Sequence, residues 1–120
     1  MENLMSDIFL IFSGVGGILI GLFHGYIGQT KILSKIGDLP TSLWRVNFIV
    51  FQLSAVYWVL GGVLLCLAPS LFSDELRTYV ALTASFLYAS ASAANLWATR
   101  GKHFGWPMLA VVATGAFMGA

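Results

Sequence analysis

Four stretches of the chain, residues 8–27, 46–68, 79–98 and 104–120, contain no Lys, Arg, Asp or Glu. This limits the fold more than any other feature, because a hydrocarbon core about 30 Å thick accepts such runs as helices and little else. The first three are long enough to cross it. The fourth covers about 26 Å at about 1.5 Å per residue, so it is expected to start earlier or to sit in a locally thinned bilayer. Only 9% of the 120 residues are charged and 58% are hydrophobic, whereas about a quarter of a soluble chain is charged. A net charge of +1 offers nucleic acid no basic patch. The expected fold is all-α: one domain, residues 1–120, forming a four-helix transmembrane bundle with antiparallel, up-down-up-down order.

Turn chemistry separates the runs. Gly37-Asp38-Leu39-Pro40 breaks the first loop, Pro69-Ser70 ends the second span, and Arg100-Gly101-Lys102 joins the last two. Ser73 followed by Asp74 and Glu75 reads as an N-cap with acidic first-turn residues. Pro107 is tolerable in an opening turn. The N-terminus carries Glu2 and Asp7 where a signal peptide needs positive charge, so the first run is expected to stay as a span.

Lys31, Lys35, Arg45, Arg100 and Lys102 fall in the first and third loops, and Arg77 alone lies at the opposite end. The positive-inside rule then sets those loops in the cytoplasm and both termini outside. Glu2, Asp7, Asp74 and Glu75 gather at the other face, while Tyr26, Trp44, Trp97 and Trp106 mark the cytoplasmic ends of their spans. A bacterial inner membrane is the expected location.

The first span carries Gly14, Gly17, Gly21, Gly25 and Gly28, all within an arc of about 80°. Small residues let helix backbones approach in lipid, where burial of apolar surface supplies no drive. A matching stripe on the third span is Ala81, Ser85, Ala89 and Ala93, and Asn47, Ser54, Trp58 and Gly61 share a face of the second. Internal seams of the bundle and a homodimer seam both fit these faces. Cys66 is single, which suits a buried structural thiol.

His24 lies on the glycine arc, about 20° from Gly17, one turn below the cytoplasmic boundary. Asn95 sits at similar depth, on the face of Ser85, Tyr88 and Ser92, and Asn47 is at the mouth of the second span. Intramembrane polar groups are costly unless paired. His24 thus reads either as a hydrogen-bond link between helices or as part of a site for a small ligand, pigment or quinone headgroup, with Asn95, Ser92, Tyr88 and Asn47 as the other candidate binding residues. A proton-coupling role is a third option. Two-histidine haem ligation lacks a second intramembrane histidine, because His103 belongs to the third loop. No zinc ligand set and no nucleophile–base pair is available in the cores.

The run His24-Gly25-Tyr26-Ile27-Gly28-Gln29-Thr30-Lys31-Ile32-Leu33, followed by Pro40, Arg45 and Tyr57-Trp58, resembles a family of small uncharacterised bacterial four-span membrane proteins. That family leaves its first span through a His-Ser-x-x-Gly-Glu-like exit and opens its second with a Trp-His pair. Here Gln29 stands in place of the acid, and Phe51-Gln52 in place of Trp-His. The resemblance implies the four-helix fold. Small multidrug exporters share the length and span count, but their first span carries an embedded glutamate that this one lacks.

The functional expectation is a non-enzymatic accessory or interaction protein, packed through its small-residue faces in a homo-oligomer or a larger membrane complex. A homo-oligomeric carrier or channel with its polar site at His24 and Asn95 is the alternative. A pigment or cofactor binder using His24 is a further one.

Overall fold

The computed structural model describes residues 2–35 and 37–120, and among these it is all-helical, with four long helices and no strand. The helices are α1 (Glu2–Ile27), α2 (Thr41–Leu71), α3 (Asp74–Thr99) and α4 (Gly105–Met118). A π-helical turn, Gly28–Ile32, and a short 3-10 turn, Leu33–Lys35, extend α1. The side chain of Glu2, counted above among the acidic group, lies outside the described residues. α1 with its extension and α2 are long and apolar enough to cross a membrane. α4 is apolar but has only 14 residues, about 21 Å of helix. It begins where the sequence places the fourth run and does not reach back into the loop.

The helix ends follow the local chemistry. α2 starts directly after Pro40, and the Ser73 hydroxyl accepts from the Leu76 N–H as the N-cap of α3. Pro69 does not end α2. The helix continues to Leu71 and is closed by Phe72 N–H donating to Ala68 O at 3.3 Å, because proline forfeits its own helical bond without stopping the next residues from adopting helical angles. α3 ends with Arg100 and Gly101 at φ of 52° and 74°. Gly101 N–H bonds back to Leu96 O at 2.9 Å, which turns the chain sharply into α4.

Sequential helices run antiparallel, and α4 closes the ring against α1. The glycine face of α1 is buried mainly against α2, with Gly17 meeting the Tyr88 phenol of α3. A methyl on Gly62 would lie 2.5 Å from Gly14 O and 2.7 Å from Ile18 N. Only two facing glycines let these backbones come so close. Further along, Gly25 meets Ala55 and Gly28 meets the Phe51 ring. A second small-residue seam, Gly115 of α4 and Gly119 just past its end, meets Ser13 and Leu10 of α1. The spacing of four between these two glycines was its sequence signal.

The third-helix stripe Ala81, Ser85, Ala89, Ala93 does not follow one seam. Ala81 is buried and Ser85 half-buried, whereas Ala89 and Ala93 are exposed in the chain. A spacing of four advances about 40° per step, so the row turns about 120° from Ala81 to Ala93 and leaves this contact. The inward face of α3 is instead Ala81, Ala84, Tyr88 and Ser92. Its hydroxyls fasten it to its neighbours: Ser85 donates to Ala113 O at 2.8 Å and Ser92 to Trp106 O at 2.7 Å. Tyr88, 2% exposed, reaches across to donate to Trp58 O at 2.6 Å, with its phenol in the space left by Gly17 and Gly61. Tyr88→Phe is expected to lose about 1 kcal/mol while keeping the packing, read as a shifted unfolding midpoint in mixed micelles. An unshifted midpoint would count against this bond.

The core is asymmetric along the bundle. Leu10, Leu65, Ala68, Ala81, Ala84, Ala113 and Ala116 fill the half near the chain ends, each nearly inaccessible. There Asp7 and Arg77 form an ion pair at 2.6 Å, Arg77 also donates to Ser6 Oγ, and Ser6 donates to Gly119 O at 2.7 Å. The opposite half, where α1 leaves and α4 begins, stays open.

Candidate functional site

In that open half lies a cavity of about 620 Å³ bordered by all four helices. Its walls are largely apolar and aromatic, with Phe23, Phe51, Trp58, Phe104 and Met108 among them. Four side chains bring nitrogen to it: His24 from α1, Trp58 from α2, Asn95 from α3, and His103 from the turn before α4.

His24 is half-buried, and its ring is wedged between Phe51 and Trp58, with centroids 5.1 Å and 4.4 Å away. Its Nε2 is 3.1 Å from Ser54 Oγ of α2, so the histidine does link two helices. It also borders the cavity, and the two readings of its role coexist in one geometry. Ser54 shares a face with Trp58, which is how the second span serves His24 from both sides.

His103 is the residue that sequence reasoning assigned to a loop. It does precede α4, but its ring folds back so that Nδ1 accepts the Gly105 N–H at 3.1 Å, and it stacks on Phe104 at 4.7 Å. A methyl on Gly105 would lie 2.9 Å from His103 Nδ1, so a glycine here lets the imidazole occupy that place. The pattern His-x-Gly at a helix start was the available signal. The cavity therefore has two histidines where the sequence offered one.

Asn95 borders the same cavity, and its Oδ1 is buried without a hydrogen-bond partner. The other expected site residues are elsewhere. Ser92 and Tyr88 are committed to backbone carbonyls of α4 and α2. Asn47 donates to Leu43 O of its own helix at 2.9 Å, since at the mouth of α2 its nearest acceptor is one turn back. Gln52 reaches the exit of α1 instead, with Nε2 3.4 Å from Gly25 O and 3.5 Å from Gln29 Oε1. Among the described residues no group of three or more His, Cys, Asp or Glu could hold a metal ion.

No protein-family model, curated protein or solved structure matches this chain.

Proposed function

We propose that this chain is a four-span integral membrane protein of the bacterial inner membrane, a non-enzymatic binding protein that holds a small, largely apolar molecule in the cavity near its cytoplasmic surface. The membrane part rests on α1 and α2 and on the outward faces of all four helices. Phe12, Leu19, Leu60, Phe86, Val111 and Phe117 are each more than half exposed, a surface suited to lipid and not to water. The orientation rests on Lys31, Lys35, Arg45, Arg100 and Lys102 lying at one end. The short α4 is accommodated by local thinning of the bilayer.

One observation carries the binding part: an apolar cavity of about 620 Å³ with His24, Asn95 and His103 converging on it. Ligand sites are typically clefts of about 300–1,000 Å³ with a few polar groups in mostly apolar walls. Native mass spectrometry of protein extracted gently from its own membrane tests this. Wild type is expected to retain a non-protein mass that His24→Ala loses. The bare chain in both samples would sink the reading.

A second reading, an accessory role within a homo-oligomer or a larger membrane complex, draws on a different surface. The glycine face is consumed inside the chain, so such a partner would meet the exposed Ala89 and Ala93 of α3. The carrier alternative needs the cavity to open to both sides in turn; here it opens at one half, and the other is filled by Leu10, Leu65 and alanines.

A further inference from the structure

The hydrogen bonds around the two imidazoles fix which ring atoms are left to give a proton and which to take one. Ser54 Oγ–H donates to Phe51 O at 2.9 Å. A serine hydroxyl has one proton, so toward His24 it acts as acceptor, and Nε2 of the neutral ring carries the hydrogen. Nδ1 of His24 is then a bare acceptor. At His103 the roles reverse. Its Nδ1 accepts from Gly105 N–H, which puts the hydrogen on Nε2 and leaves a donor. Asn95 brings an amide to the wall with both a donor Nδ2 and an unpaired acceptor Oδ1, so it can serve either kind of ligand oxygen.

A molecule that fits must therefore donate as well as accept, and must be flat enough to lie among Phe23, Phe51, Trp58 and Phe104. We propose that the cavity takes a hydroxylated aromatic ring of the quinol or phenol class, one hydroxyl donating to His24 Nδ1 or Asn95 Oδ1 and another oxygen accepting from His103 Nε2–H. This rests on the cavity being a ligand site. A quinone of the same skeleton has oxygens that only accept, so it leaves His24 Nδ1 unpaired in an apolar site. Haem suits the site poorly, because His24 Nε2 is bonded to Ser54 and the ring is held between Phe51 and Trp58.

The test compares one ring in two states. Protein in phosphatidylcholine nanodiscs is titrated anaerobically with a dimethoxy-methyl-hydroquinone bearing one isoprenyl unit, with the matching quinone, and with decanol as an aliphatic control. The quinol is expected to bind about ten- to a hundredfold more tightly than the quinone, the range set by one buried acceptor left unpaired. Ser54→Ala removes the group that fixes the His24 tautomer, so the ring becomes free to donate through Nδ1. The quinol preference should then fall below about threefold, in a protein that still unfolds cooperatively.

Equal or tighter binding of the quinone to wild type would overturn the quinol class and leave the ligand site standing. So would saturable binding of decanol alone, or a Soret band in the protein as extracted. If no probe binds, the ligand site itself falls, and the proposal with it.

Discussion

Gly62→Ala is expected to destabilise the protein by about 2 kcal/mol. The added methyl meets Gly14 O at 2.5 Å and Ile18 N at 2.7 Å, and both are backbone atoms of α1 that no rotamer change can move. Overpacking of this kind costs about 1–3 kcal/mol, offset in part by the better helix propensity of alanine, which returns up to about 1 kcal/mol. The larger Gly62→Val lies beyond what a shift of α1 can absorb and should abolish the folded monomer. Gly37→Ala is the control, with nothing within 4 Å of the added carbon, and should stay within about 0.5 kcal/mol of wild type. Unfolding in mixed micelles by increasing sodium dodecyl sulfate gives all three values. Gly62→Ala as stable as Gly37→Ala would mean that α1 and α2 do not touch through these glycines.

Arg77→Met should cost about 2 kcal/mol, for an electrostatic reason and not a steric one. Arg77 holds Asp7 at 2.6 Å, and the two side chains are only 14% and 32% exposed. Removing the cation leaves a carboxylate half-withdrawn from water. A fully buried pair broken in this way costs about 3–5 kcal/mol, and the remaining exposure of Asp7 reduces that. The double variant Asp7→Asn/Arg77→Met should recover more than half of the loss, since no charge is then stranded. Strictly additive effects in this cycle would show that the pair contributes nothing as a pair. The same substitution also releases Ser6, which Arg77 and Gly119 O hold from opposite sides, so the ends of α1 and α4 should exchange amide hydrogens faster.

The helices were legible because their signals are local. Runs without charge, Pro40 before α2, the Ser73 cap and the Arg100-Gly101 turn each act within a few residues of where they stand. Pro69 misled, since its effect on a last turn is a lost bond and not a stop. The Ala81-to-Ala93 row turns about 120° around its helix, so within this chain only its Ala81 end is buried. Of the site, His24 and Asn95 were legible as polar groups in apolar runs. His103 was not, because where a loop ring points depends on a single bond to Gly105 N–H.

By itself the sequence determined the class of the fold, the positions of the helices and the end at which its basic charge collects, because hydropathy, capping and charge act locally. The tertiary structure alone decided that most of α1's glycines meet α2, that Tyr88 and Ser92 donate to backbone carbonyls of neighbouring helices, and that two histidines share one cavity. Those outcomes depend on how helices rotate about their axes and how closely they approach. Both are fixed by packing among residues far apart in the chain, which no local pattern records.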